Sequence, residues 1–219
     1  SLEDLTHQPA FFARPNRSEF IFSAETPADR EDYFGARMRG SVIAPITGNY
    51  TFYLAADEKA ALWLSNNSSQ FGKTQIVTLT AATAVREWTK FPMQASAVIR
   101  LVAGQRYYME AIQTETAAAD HLEIGWKLPA ATDVTVIPES AIEGYAYDAG
   151  DADGDNMLDT WEVANGLNPA LSDAAADPDA DLIPNGLEFN KATDPQQKNA
   201  LAGALLHEKW LNIPGYLVK

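Results

Sequence analysis

Residues 33–65 read YFGARMRGSVIAPITGNYTFYLAADEKAALWLS, and this stretch decides the fold. Within it Tyr50, Phe52 and Leu54 recur at every second position, the spacing that puts them on one face of an extended strand. Outward from it the chain continues in short apolar runs: TQIVTLT, SAVIRLVAG, QRYYMEAIQT, LEIGWKLP and DVTVIP. In SAVIRLV the residues Ala97, Ile99 and Leu101 again share a face. Turn-forming residues separate the runs at 45–49, at 66–69, at Gly104 and at 117–120. Many short strands punctuated in this way predict a mainly β protein, an antiparallel sandwich or barrel. The Leu-Trp-Leu run at 62–64 predicts a core position for Trp63, and Trp126 is expected to be packed as well. Phe11, Phe12, Phe20 and Phe22, in a turn-rich opening segment, are expected to lie over that core.

Beyond the runs the composition changes. Residues 148–194 carry twelve acids against one base, Lys191, which is −11 of the chain's net −14. So many carboxylates repel one another and cannot close around an interior without a cation. Their spacing is informative. Asp151, Asp153, Asp155, Asp159 and Glu162 stand at positions one, three, five, nine and twelve of a loop. Asp177, Asp179, Asp181, Asn185 and Glu188 repeat the ladder. Position seven of such a loop supplies only a main-chain carbonyl, so Met157 and Ile183 can be apolar there and turn their side chains into a small core. An oxygen-only donor set of this kind predicts calcium, with the terminal glutamate able to give two ligands. Trp161 before Glu162 matches Leu187 before Glu188, and Asn168-Pro169 matches Asp194-Pro195, so the two ladders are copies of one unit. They are not EF-hands: the sixth position, glycine in that motif, holds Asn156 and Leu182. Short helices are expected after each loop, over 160–165 and 186–191, the first stopped by Gly166.

With 219 residues, 46% of them hydrophobic, the chain can bury one core and a satellite. It has no cysteine and so no disulfide. Dependence on calcium points to a secreted or cell-surface protein, where that ion is abundant. No apolar run is long enough to span a bilayer, and no signal peptide precedes Ser1, so the sequence reads as a piece of something larger. The acidic balance argues against nucleic acid.

Three pieces taken together resemble the protective antigen (PA-14) domain, a β-sandwich of adhesins, lectins, glycosidases and toxins. They are the 33–65 stretch, REWTKFPMQASAVIRLVAGQRYYMEAIQTE and DHLEIGWKLP. The acidic units, DADGDNMLDTWEVANGLNP and DPDADLIPNGLEFNKATDP, resemble thrombospondin type 3 and related calcium-binding repeats. The resemblances imply a PA-14-like sandwich over 1–143, a double calcium loop with short helices over 144–195, and a helix plus apolar tail over 196–219. In sugar-binding members of the PA-14 family, two adjacent aspartates joined by a cis peptide hold a calcium that grips sugar hydroxyls. The matching pair here is Asp57-Glu58, one methylene longer, and Asp120 matches a further ligand, which makes these three a candidate carbohydrate or calcium site. Trp88 is a candidate stacking face for a sugar.

Catalysis is not expected. Asp57 and Glu58 are neighbours, whereas glycosidase carboxylates face each other across a bond. His7, His121 and His207 stand at no triad or metal spacing, and His121 reads as a loop residue. The tail, HEKWLNIPGYLVK, resembles the segment that opens a PA-14 domain, displaced here to the far end. Its apolar Trp210, Ile213, Tyr216 and Leu217 predict either that the chain is about one period of a tandem array or that the tail completes an adjacent copy's sandwich as a donated strand, building a head-to-tail array or filament, the alternative being a tail folded back on its own domain. The sequence thus predicts a non-enzymatic, calcium-stiffened structural or adhesive repeat unit. The competing class is a calcium-dependent carbohydrate-binding module that presents the Asp57 loop to cell-surface or matrix glycans.

Overall fold

The computed structural model describes residues 2–12, 15–27, 33–116, 120–146 and 148–199. Among the described residues two short helices, α1 (Leu2–Thr6) and α2 (Pro9–Phe12), precede nine strands. The strands are β1 (Phe34–Ile43), β2 (Gly48–Ala56), β3 (Lys59–Leu64), β4 (Thr74–Leu79), β5 (Ile99–Leu101), β6 (Arg106–Glu115), β7 (Leu122–Lys127), β8 (Thr135–Val136) and β9 (Ile142–Gly144). All pairs are antiparallel and form two sheets, ordered β4-β3-β6-β1-β9 and β5-β2-β7-β8. One apolar cluster joins them: Val42, Leu62, Leu79 and Ala111 from the first sheet meet Phe52, Leu54, Ile124 and Trp126 from the second. The protein is therefore a β-sandwich. Tyr50 and Trp126 pack with ring centroids 5.4 Å apart, and the buried Tyr50 hydroxyl donates to Ile46 O at 2.7 Å, so its polar end is satisfied.

Several expectations are corrected. Leu62 and Leu64 point inward, so the pleat sends Trp63 to the outer face, where it is half-buried rather than in the core. Phe20 and Phe22 are 82% and 70% exposed and do not lie over the core. The run SAVIRLVAG forms regular strand only at β5; upstream, Ser96 N still donates to Phe52 O at 2.8 Å, but the Ser96 side chain stands in for the main-chain acceptor. Its Oγ accepts the Phe52 N–H at 2.9 Å, which leaves Ala97 and Val98 exposed. The three-residue β9 is too short to show alternation and has no signal of its own in the sequence.

The outer face of the five-stranded sheet is polar and charged, and this positions the rest of the chain. Lys73 Nζ lies 2.8 Å from the buried Glu110 carboxylate, which also accepts the Tyr108 hydroxyl. Burial works to raise the Glu110 pKa, but the charges of Lys73 and Arg37 and the two hydrogen bonds outweigh it and hold the group below the usual carboxylate range. Arg39 of β1 and Gln70, which follows β3, hold the loop that leads into α3 (Asp159–Ala164), while α4 (Asn185–Lys191) meets Phe71 through Phe189 and Phe12 through Gly186.

Candidate metal centre

The acidic ladders fold by the same side-chain-to-backbone bonds, at an offset of 26 residues (Asp151 to Asp177). Asp151 Oδ1 accepts Asp155 N at 3.1 Å, and Asp177 Oδ1 accepts Asp181 N at 3.2 Å. Asp151 Oδ2 takes Asn156 N, and Asp177 Oδ2 takes Leu182 N. Asp153 Oδ1 and Asp179 Oδ1 each accept the amide two residues on, as do Asp155 Oδ1 and Asp181 Oδ1. Positive φ recurs in phase too: Gly154 and Ala180, Asn156 and Leu182, Gly166 and Ala192. The sixth position is therefore left-handed although it holds no glycine, and the aspartate-to-amide bonds around it hold that conformation. Met157 and Ile183 are buried, and each loop runs into its helix, α3 or α4.

These bonds occupy some of the carboxylate oxygens and leave others without a partner. Asp153 Oδ2, both carboxylate oxygens of Glu162, Asp179 Oδ2, Asn185 Oδ1 and Glu188 Oε2 are buried with no hydrogen-bond partner. Glu162 is 0% exposed. An unpartnered buried polar atom costs about 1–3 kcal/mol, and more when charged. Burial first, then the charges of Asp155 and Asp153, pushes the Glu162 carboxyl up to about 8. Burial likewise moves Asp155 up to about 6. Asp151, Asp173 and Glu188 are raised for the same leading reason.

Among the described residues, three trios of acids place ligand atoms within 4.8 Å of one another: Asp151-Asp153-Asp155, Asp155-Glu162-Asp173 and Asp177-Asp179-Asp181. The donors are oxygens throughout, without histidine or thiolate, and their number suits a large hard cation that takes six to eight ligands.

The structure adds two residues that the twelve-position ladder omits. Asp173 N donates to Asp155 Oδ2 at 3.0 Å, and its counterpart at the same offset, Asn199, donates to Asp181 Oδ2 at 2.6 Å. Carrying the repeat past its twelfth position would have found both. The first loop is also tied to the sandwich. Gln70 Nε2 donates to Asp151 Oδ2 at 3.2 Å, and Tyr145 OH donates to Gln70 Oε1 at 3.1 Å. Arg39 donates to Asn156 Oδ1 at 2.6 Å while its guanidinium stands 3.7 Å over the Tyr145 ring. Trp161 and Phe71 flank the Phe189 ring edge-on at 5.2 and 5.9 Å.

Asp57 and Glu58 lie at the turn between β2 and β3. Asp57 N donates to His121 O at 3.1 Å, which seats this turn beside the loop holding Asp120. The described residues contain no cis peptide, so Asp57-Glu58 lacks the geometry that the resemblance implied. Glu58 has φ 73°, and its carboxylate accepts the Thr116 hydroxyl. None of the three acid trios includes Asp57, Glu58 or Asp120. Trp88 packs over Gly125, whose Cβ position lies 3.0 Å from the indole, so that ring is engaged with β7. His121 is buried, its ring nitrogens 3.0 Å from Glu123 Oε2 and 3.0 Å from Thr83 O. Burial lowers its pKa, but the bond to Glu123 and that carboxylate's charge reverse the sign and raise it overall. The tail residues Trp210, Ile213, Tyr216 and Leu217 lie outside the described residues.

The PA14 domain family matches residues 4–140, so the chain belongs to that family. It is 33% identical over 100 residues to the mouse N-acetyl-beta-glucosaminyl-glycoprotein 4-beta-N-acetylgalactosaminyltransferase 1, covering 43% of this chain and 10% of that protein. It is 31% identical over 99 residues to mouse fibrocystin, covering 42% and 2%. The chain thus spans a small fraction of these relatives. Among solved structures, the A domain of Candida glabrata epithelial adhesin 6, in complex with Galb1-3GlcNAc, aligns with TM-score 0.41 at 12% identity over 52% of each chain. The PA14 domain of the MpAFP antifreeze protein aligns with TM-score 0.35 at 14% identity, over 49% of this chain and 50% of that one. No helix among the described residues is long and apolar enough to cross a membrane.

Proposed function

We propose that this chain is a non-enzymatic, extracellular structural or adhesive unit whose acidic module, a thrombospondin type 3-like double loop, is closed by calcium against a PA14 sandwich. The observation that carries this reading is Glu162: fully buried, both oxygens unpartnered, in reach of Asp155 and Asp173. Calcium there would replace carboxylate repulsion with ligation and fix the module at one angle to the sandwich. The first cage would draw on Asp151, Asp153, Asp155, Asp159, Glu162 and Asp173. The second would draw on Asp177, Asp179, Asp181, Asn185 and Glu188. Isothermal titration of the metal-stripped chain tests it: calcium should bind at two sites, and Glu162→Gln should weaken one of them. A chain that takes up no calcium refutes the reading.

A second reading is calcium-dependent glycan binding at the Asp57, Glu58 and Asp120 end, favoured by the 3.1 Å bond that brings the two loops together. Glycan-array binding abolished by Asp57→Ala would establish it. The proposed joining of copies through residues 207–219 is tested by sedimentation. An assembly unchanged after their removal excludes strand donation.

A further inference from the structure

The second ladder departs from the first at position nine, where Asn185 replaces Asp159. Asp159 has a local partner: its Oδ1 accepts the Ala152 amide at 2.8 Å. Asn185 is turned otherwise. Its Nδ2 donates to Asp173 O at 3.1 Å and to Asp173 Oδ1 at 3.2 Å, while its Oδ1 is buried without a partner. Asp173 in turn belongs to the first cage, with ligand atoms grouped with Asp155 and Glu162 and its amide held by Asp155. One fully buried side chain therefore touches a ligand of the first cage and offers an oxygen as a ligand of the second. Only an amide can do both at this length, because a carboxylate has no N–H and would sit against Asp173 as a like charge.

We propose that the two cation sites form one cooperative pair, coupled through the hydrogen bonds of Asn185 to Asp173. This rests on the calcium reading above. A cation in the first cage draws in the Asp173 carboxylate and fixes it. Fixed Asp173 holds the Asn185 amide nitrogen, and the opposite end of that amide is thereby aimed at the second cage before its ion arrives. The effect is reciprocal by linkage: an ion on Asn185 Oδ1 orients the amide that braces Asp173. The main chain follows the same path, since Asn185 N and Gly186 N donate to Ala176 O and Ala174 O just beyond Asp173.

The test is calcium titration of the whole chain, with Asp153→Ala disabling the first cage and Asp179→Ala the second. The product of the two binding constants of the intact chain should exceed the product of the two single-cage constants by about fivefold or more, the lower range of measured couplings. With Asn185→Ser added to all three proteins, which brings no charge to Asp173, the two products should become equal. That change keeps an oxygen for the second cage and removes the N–H donor. Asn185→Ala, which likewise adds no charge, should abolish the excess in the same way if the serine variant does not fold. Two calcium ions bound with equal products in the unaltered background would overturn the coupling and leave the calcium reading standing. An excess that persists in both Asn185 variants would overturn the assignment to this side chain. Absence of any calcium binding would remove the reading on which the proposal rests.

Discussion

The sandwich and the acidic module both enclose an interior, but they fill it with opposite chemistry. Between the sheets the space belongs to Phe52, Leu62, Ile124 and Trp126, and the polar groups that enter, such as the Tyr50 hydroxyl, arrive with partners. In the module Met157, Ile183 and Leu187 are buried beside Asp151, Asp155, Glu162, Asn185 and Glu188, and several oxygens of that polar set have no partner. An apolar interior is stable by itself, because water drives it closed. An interior that also holds unpartnered carboxylates carries a desolvation cost that only neutralising their charge removes. The two regions should therefore come apart under different insults.

The largest expected effect is calcium removal. At a free concentration a thousandfold above Kd, each bound ion adds about 4 kcal/mol to the state that binds it. EGTA should open residues 148–199 to proteolysis while a fragment ending near Gly144 survives. Equal cleavage with and without chelator would erase the contrast. The converse break is Trp126→Ala. Loss of that side chain should cost the sandwich about 3–5 kcal/mol, read as a lower urea midpoint, while calcium binding in the native range is unchanged.

How far each region could be read follows from the same difference. Tyr50, Phe52 and Leu54 announced their strand because half-buried sheet imposes a period of two, and the acids announced two like loops because each aspartate accepts the same main-chain amides at the same spacing. Trp63 misled because alternation fixes which residues share a face and not which face is inside. Phe20 and Phe22 misled because aromatic content does not establish burial. Asp173 and Asn199 lay beyond the twelve positions used to define the ladder. Gln70 and Arg39 were invisible, since their partners Asp151 and Asn156 are 81 and 117 positions away and only the folded sheet brings them together.

The charged outer face of the sandwich gives an intermediate test with a distinctive sign. Glu110 has a depressed folded pKa, so its contribution is present above the unfolded value near 4.5 and is lost as pH falls through the folded one. Lys73→Met removes the nearest cation from a buried carboxylate, and such a change costs about 3 kcal/mol or more at neutral pH. Burial then dominates, the folded pKa rises above the unfolded one, and the sign inverts: the variant should gain stability, relative to the unaltered protein, as pH falls from 7 toward 5. Melting curves across that range check it, and Lys73→Met with Glu110→Leu should remove the pH dependence. A Lys73→Met deficit that stays constant with pH would show that Glu110 is not the group left unpaired.

The smallest effect belongs to the joint between the regions. Arg39 holds Asn156 Oδ1 at 2.6 Å from a position stacked on Tyr145, and Asn156 follows the first cage's Asp155 directly. Arg39→Ala forfeits a charge-assisted hydrogen bond and a cation–π contact, together about 1–3 kcal/mol. Neither interior loses an atom, so the sandwich should melt almost as before and both cages should still fill. What should change is the dependence of one on the other. In the unaltered protein calcium should raise the sandwich's melting temperature, because Arg39 and Gln70 hold Asn156 and Asp151 of the first loop, which the ion would fix. In Arg39→Ala that increment should shrink, and in Arg39→Ala with Gln70→Ala it should nearly vanish. If the increment survives both changes, the aromatic contacts of Phe71 with Phe189 carry the joint instead, and the polar bridge only decorates it.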